Sequence, residues 1–255
     1  MSSRTAPPAA RTFPGAAAAS RSASRLRPGR LILEFAGGTL ALLMLLHAAD
    51  AAFSAALLAL ACYLGMAVLL WRGLARTTWP RAGMGPANGV TLARGVLVAL
   101  LAGSLADPVL LAGRGEWLFG AALVALTLDG VDGWVARRTG SASALGARFD
   151  MELDAFLILV LCLALLLLGR AGPWVLAIGA MRYVFVASSW RWAWLADELP
   201  DSLRRKAVCV WQVAALILAL LPATPGPLAT WLAATALAGL TLSFAVDVRW
   251  LYRHR

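Results

Sequence analysis

Long apolar runs separated by short polar stretches dominate the chain from residue 31 onward. Each run is close to the roughly 20 residues that an α-helix needs to cross a bilayer. The stretches between them are rich in proline, glycine or charge, which is typical of turns between helices. We therefore predict an all-α integral membrane protein with eight spanning helices, at residues 31–48, 52–71, 91–112, 117–136, 150–169, 173–194, 207–222 and 227–246.

Composition supports a membrane protein. Of the 255 residues, 61% are hydrophobic and only 14% are charged, whereas soluble domains average about 45–50% apolar and about 25% charged residues. The net charge of +10 raises the question of nucleic acid, but the chain has no basic patch interleaved with aromatic residues. Membrane topology and anionic lipid headgroups explain the basic residues, so we predict membrane lipids and no nucleic acid as partners.

The distribution of arginine and lysine predicts the orientation. Residues 1–30 contain six arginines and no acid, and we predict that they form a disordered cytoplasmic arm. Alternation places the other basic loops on the same side, while the opposite loops carry only Arg114 and Arg170. Both termini are thus predicted to be cytoplasmic, most simply in a bacterial inner membrane. An organellar origin stays open, because the arm is also rich in serine and arginine.

A polar loop at residues 73–89, rich in glycine and proline, divides the predicted helices into two groups. Two N-terminal transmembrane helices lie within residues 31–72. A block of six helices occupies residues 90–255, and all of the candidate chemistry falls in that block or just before it.

Four aspartates within 26 residues form the main candidate site: Asp129, Asp132, Asp150 and Asp154. Asp129 and Asp132 are three positions apart at the end of one predicted helix, so they share a face. Asp150 and Asp154 are four apart at the start of the next helix and share a face likewise, whereas Glu152 lies on a different face. A short turn can bring the two pairs together, and clustered carboxylates suit the hard cations Mg²⁺, Mn²⁺ or Ca²⁺.

Small residues and an arginine accompany the acids. Gly133 and Ala136 follow Asp129 at helical spacing and leave room for a ligand against the helix backbone. Arg137 adds a planar, permanently charged group that suits phosphate oxygens. Metal, arginine and an open helix surface together predict a site for a pyrophosphate, whose bridging bond a metal would polarise.

The whole string from Asp129 to Asp154 has the form D-x-x-D-G-x-x-A-R-x8-G-x3-D-x3-D. It resembles the signature of the CDP-alcohol phosphatidyltransferases at all eight fixed positions. The resemblance covers roughly residues 86–255 and implies a core of six transmembrane helices. The two N-terminal helices lie outside it.

This resemblance implies a role for each matching residue. Asp129, Asp132 and Asp150 would bind a pair of Mg²⁺ or Mn²⁺ ions, with Asp150 shared between the two ions. Asp154 would complete the metal site and act as the general base on the acceptor hydroxyl. The CDP portion of the donor would be held by small and polar residues: Gly133, Ala136, Arg137, Gly146 and Thr91.

A second string, N-x-x-T-x-x-R from Asn88 to Arg94, resembles the polar start of the family's first core helix, with Ala87 where a proline is common. Helix capping and an ordinary cytoplasmic anchor are the alternative explanation. An acceptor pocket would draw on basic residues: Arg94, Arg182, Arg204, Arg205 and Lys206. Snorkelling of Arg182 and the positive-inside rule for residues 204–206 explain them without an acceptor.

The resemblance implies transfer of a phosphatidyl or phosphoalcohol group from a CDP-linked donor to an alcohol, with release of CMP and with a homodimer as the expected assembly. The expected donor is CDP-diacylglycerol. Glycerol 3-phosphate, an inositol phosphate, serine and phosphatidylglycerol stay open as acceptors, as does diacylglycerol with a CDP-amino-alcohol donor. A cation or proton transporter is the rival class, but it predicts acids near the midplane on several helices. A catalytically inactive scaffold is a third alternative.

Overall fold

The computed structural model describes residues 28–76, 84–139, 143–197, 199–200 and 202–254. The predicted arm therefore lies outside the described residues, apart from its last three, which begin the first helix. In the described ranges the chain forms helices α1 Pro28–Ala48, α2 Phe53–Ala75, α3 Pro86–Ser104, α4 Pro108–Gly113, α5 Gly115–Thr139, α6 Ala144–Leu167, α7 Leu176–Arg191, α8 Leu203–Leu220 and α9 Gly226–His254. Short 3-10 turns at Pro173–Val175 and Ala193–Ala196 flank α7.

The predicted fold class is confirmed: the protein is an all-α integral membrane protein. Within the described ranges, four helices are long and apolar enough to cross a bilayer, namely α1, α2, the part of α5 up to Val135, and α9. Each of the eight predicted segments contains a helix. The division into eight crossings stays a prediction.

The third predicted segment, residues 91–112, is not one continuous helix. The helix α3 ends at Ser104, and a new helix, α4, begins at Pro108. The Asp107 carboxylate caps α4 by accepting a hydrogen bond from Leu110 N at 3.0 Å, and it also accepts one from Ala52 N at 2.8 Å. The break therefore ties the end of α3 to the turn between α1 and α2.

The N-terminal pair α1 and α2 packs closely on α3. The Tyr63 side chain on α2 is fully buried, and its hydroxyl donates to Phe35 O in α1 at 3.1 Å. A Cβ at Gly103 of α3 would lie 2.6 Å from Ala55 O, so this glycine lets α2 and α3 approach. Glu34 on α1 accepts a hydrogen bond from Met84 N, just before α3, at 3.0 Å.

The largest apolar core lies between α3, α5, α6, α8 and α9. Its buried members include Leu101, Leu118, Leu161, Leu216 and Ala233. A second core joins α3 to α1 and α2. The helix α3 therefore packs on both sides, which places its first turns against the end of α5 and the start of α6.

Replacing Asp107 by alanine tests the connection between α4 and the α1–α2 turn. We expect Asp107→Ala to lower the free energy of unfolding by roughly 1–2 kcal/mol, because a lost N-cap costs about 1 kcal/mol and Ala52 N also loses its acceptor. Thermal unfolding in detergent micelles measures the change.

Asp50→Asn is the control, because the Asp50 pair with Arg114 is exposed and exposed ion pairs contribute about 0–1 kcal/mol. Asparagine also tolerates the positive φ of 54° at this position. Equal melting temperatures for the two variants would contradict the role of Asp107.

Candidate functional site

Two pairs of aspartates, one from the end of α5 and one from the start of α6, lie close together. Ser143 caps α6, because its Oγ accepts a hydrogen bond from Gly146 N at 3.0 Å. Residues 140–142 lie outside the described part of the chain. Asp129 and Asp132 lie in the last three turns of α5. Asp150 and Asp154 lie in the first three turns of α6, on the side that faces Arg94 of α3.

Three of the four carboxylates lie close enough together to bind one metal ion. One oxygen from each of Asp129, Asp132 and Asp150 lies within 4.8 Å of the other two. Asp132 is buried, and the other two are half-buried. The donors are all carboxylate oxygens, which hard divalent cations prefer. The donor set therefore fits Mg²⁺ or Mn²⁺.

The guanidinium of Arg94, on α3, lies in the middle of this aspartate cluster. Its Nη1 is 3.0 Å from Asp129 Oδ1 and 2.9 Å from Asp132 Oδ2, and it also contacts Asp150. Its Nη2 contacts Asp154, the fourth aspartate. Arg94 is only 1% exposed. One guanidinium facing four carboxylates leaves the cluster with an excess of negative charge, which favours further cations.

From the sequence we predicted that Arg94 borders the acceptor pocket. In the structure its guanidinium contacts the four aspartates, and a role toward the acceptor stays a prediction. One signal pointed to the aspartates: an arginine in an apolar helix needs an acidic partner, and the nearest rich source of acids is the aspartate string. The sequence does not show which acid it meets, because the contacts span 35 to 60 residues along the chain.

The rest of the second string lies on the same face of α3. The Thr91 hydroxyl donates to Asp132 Oδ2 at 3.3 Å. The Asn88 side chain is buried, and its Nδ2 donates to Met84 O at 3.0 Å. Thr91 was predicted to contact the CDP portion, and its position beside Asp132 puts it at the edge of the cluster.

The predicted CDP-binding residues follow the aspartates along α5 and α6. Gly133 is half-buried on α5, next to Asp132. Ala136 and Arg137 belong to α5, but their side chains lie outside the described part of the structure. Gly146 faces α3: a Cβ there would lie 2.8 Å from Asn88 Oδ1. Its small size therefore also serves the packing of α6 on α3.

The remaining basic candidates lie on α7 and α8. Arg182 donates through Nη2 to Glu152 Oε1 at 2.6 Å. Arg205 donates to Pro200 O, and Lys206 follows it on α8. None of these three is recorded in contact with the aspartate cluster.

Arg204 has partners on α9 that sequence reasoning missed. Its Nη1 donates to Ser243 O at 2.7 Å, and its Nη2 pairs with Asp247. Asp247 directly follows the last predicted apolar run, residues 227–246, and an acid so close to a membrane segment was the available signal for this pair. Arg204 therefore joins α8 to α9.

The fold and the site together define an integral membrane protein with an acidic, cation-attracting cluster at one end of its helices. A family model described as CDP-alcohol phosphatidyltransferase matches residues 84–244, which is more than half of the chain. The chain therefore belongs to the CDP-alcohol phosphatidyltransferase family, as the two strings indicated.

The family match has clear limits along the chain. It begins just before α3 and ends within α9, so it includes all four aspartates and leaves α1 and α2 outside. No curated protein and no solved structure matches the chain. Membership of the family supports a membrane transferase of lipid biosynthesis that uses a CDP-alcohol donor and an alcohol acceptor, and the family is typically dependent on divalent metal.

Gly146→Ala tests the close approach of α6 to α3. The added methyl group would lie 2.8 Å from Asn88 Oδ1 and 3.0 Å from Ser143 Oγ, and both oxygens belong to side chains that hold backbone groups at the helix starts. We expect a lower melting temperature, with a loss of about 1 kcal/mol if the Ser143 cap is displaced. Thermal unfolding of the purified protein measures it.

Gly130→Ala is the matched control, because a Cβ at Gly130 on α5 meets nothing within 4 Å. Alanine in a helix is favoured over glycine by roughly 0.5–1 kcal/mol, so this variant should be at least as stable as the wild type. If both variants unfold at the wild-type temperature, Gly146 is not needed for packing.

Proposed function

We propose that the protein transfers a phosphatidyl group from CDP-diacylglycerol to an alcohol hydroxyl and releases CMP. The observation that carries the proposal is the convergence of four aspartates from two helices around a single guanidinium. Neither a solvated loop nor a helix cap needs such an arrangement, because like charges repel unless cations join them.

The proposed division of roles takes its support from the positions of the four carboxylates. Asp129, Asp132 and Asp150, whose oxygens lie closest together, would hold two Mg²⁺ or Mn²⁺ ions. When bound, these ions would neutralise the pyrophosphate and make CMP a better leaving group. Asp154 lies outside the closest group of three, and this favours it over the others as the group that meets the acceptor hydroxyl. Its side chain is partly exposed, as are those of Asp129 and Asp150, so an acceptor could reach it.

Asp154 is thus the proposed general base. The acceptor oxygen forms a bond to the β-phosphorus of the donor, and the bond from that phosphorus to CMP breaks. Asp154 takes the proton that the hydroxyl loses. Arg137 would bind the pyrophosphate oxygens. The cytidine and its phosphates would be bordered by Gly133, Ala136, Gly146 and Thr91.

An apolar groove beside the site supports a lipid-linked donor. A cavity of about 730 Å³ lies between α2 and α6. Its lining is mainly apolar and includes Leu69, Phe149 and Phe156, together with the charged side chains of Arg148 and Glu152. Phe149 and Leu153 directly precede Asp150 and Asp154 in the chain. An acyl chain in this groove would hold its headgroup near the aspartates.

The cytoplasmic side of a bacterial inner membrane is the proposed location of the site, because exposed arginines flank the α5–α6 turn, Arg138 before it and Arg148 after it. A homodimer is the proposed assembly. Arg182, Arg204, Arg205 and Lys206 are proposed to border the acceptor. Of these, Arg205 and Lys206 form no ion pair with another described residue. Arg205 donates to Pro200 O, so Lys206 is the most available for a phosphorylated acceptor.

Asp154→Asn tests the general base. The change keeps the size of the side chain but removes its basicity, so we expect the protein to fold and CMP release to fall by at least about 100-fold, the lower end of what general base catalysis contributes. A CMP-release assay with purified protein measures the rate.

Glu116→Gln is the control. Glu116 is exposed in the first turn of α5, at the end of that helix away from the aspartates, and it is not among the acids that contact Arg94. Its variant should retain a rate close to that of the wild type. Near-normal turnover in Asp154→Asn would show that Asp154 is not the base.

A further inference from the structure

Arg94 occupies the place where the aspartates would receive a metal. We propose that its guanidinium competes with divalent cations: it neutralises the cluster while metal is absent, and it moves to a phosphate oxygen of the donor when metal binds. This inference rests on the proposed function. It makes Arg94 a residue that sets metal affinity and links metal binding to donor binding.

The first argument is overlap. The three carboxylates that meet within 4.8 Å of one another are the same three that contact Nη1 of Arg94. A cation bound between them would take the position of that nitrogen. A guanidinium does not lose its proton in proteins, so Arg94 has to move aside when a metal enters.

The second argument is that the Arg94 guanidinium contacts the aspartates only through Nη1 and Nη2. Its Nε is buried and has no hydrogen-bond partner among the described residues. A buried N–H group without a partner is unfavourable. A phosphate oxygen beside the cluster would accept from this nitrogen, so the moved position offers Arg94 a bond that its present position lacks.

The third argument is charge. With Arg94 included, the four carboxylates leave three negative charges, and two divalent ions turn this into a single positive charge. Without Arg94 the same two ions would make the cluster neutral. Arg94 should therefore weaken metal binding in the absence of donor, and the anionic pyrophosphate should relieve that repulsion. Metal and donor would then bind with positive cooperativity.

Arg94→Gln separates this role from a purely structural one. We measure the Mn²⁺ dissociation constant by electron paramagnetic resonance, and the melting temperature in EDTA and in saturating Mn²⁺. We expect the dissociation constant to fall by at least about tenfold, because one close positive charge is removed. The melting temperature should fall in EDTA, where the carboxylates lose their counterion, and approach the wild-type value in Mn²⁺.

Arg138→Gln is the matched control. Arg138 lies on α5 near the same end of the molecule, is exposed, and stacks on Trp134. Arg138→Gln removes one positive charge, as Arg94→Gln does, but leaves the aspartate contacts unchanged. Its Mn²⁺ dissociation constant and its melting temperatures should therefore match those of the wild type. Unchanged or weaker Mn²⁺ binding by Arg94→Gln, or an unchanged melting temperature in EDTA, would overturn the proposal.

A second measurement uses the wild-type protein and does not depend on the folding of Arg94→Gln. With ¹⁵N-labelled arginine, the Arg94 Nε resonance is assigned by its loss in Arg94→Lys. It should shift when Mg²⁺ saturates the site and shift again when the donor is added. A resonance that stays in place throughout would contradict the movement of Arg94.

The outcomes distinguish this inference from the proposed function. In one outcome, the wild-type protein binds Mn²⁺, Arg94→Gln binds it more tightly, and no CMP is released. That result would contradict the proposed function and support the competition of Arg94 with metal. Wild-type protein that releases CMP while Arg94→Gln binds Mn²⁺ no more tightly would contradict the inference alone.

Discussion

The pairing of one buried guanidinium with four carboxylates determines how three helices of this protein meet. Arg94 comes from α3, one aspartate pair from α5 and the other from α6. The positive charge from α3 therefore pairs with the negative charges at the ends of α5 and α6. Separating a buried charge from its partner costs about 3–5 kcal/mol. The helix ends therefore stay together, and the excess of negative charge left between them favours binding of further cations.

The N-terminal helices fix the position of α3, although they lie outside the family match. Glu34 on α1 accepts from the backbone just before α3, and Asp107 just after α3 accepts from the backbone before α2. These two carboxylates hold α3 at both ends, and close packing at Gly103 holds its C-terminal half against α2. The pair α1 and α2 therefore helps to position Arg94, and α2 also forms one wall of the apolar groove beside the site.

Local patterns in the sequence predicted most of the helices and the grouping of the aspartates into two pairs, but not the position of Arg94 among them. Apolar runs of bilayer length located the long helices, and the three- and four-residue spacing of the aspartates placed each pair on one helix face. The break at Asp107 was missed because the apolar run continues on both sides of it, although an aspartate followed by proline is a signal for the start of a new helix. The apolar surroundings of Arg94 indicated that it needs an acidic partner. Which acids it meets was not predictable, because that depends on how α3 packs on α5 and α6, far away along the chain.

The most direct test of the central claim is CMP release by the purified wild-type protein, given CDP-diacylglycerol with glycerol 3-phosphate, an inositol phosphate, serine or phosphatidylglycerol. We expect one acceptor to support release with Mg²⁺ or Mn²⁺ present, EDTA to stop it, and added metal to restore it. Transfer that continues in EDTA would contradict a metal-holding aspartate cluster. Cation flux that depends on a gradient, with no CMP released for any acceptor, would indicate a transporter instead.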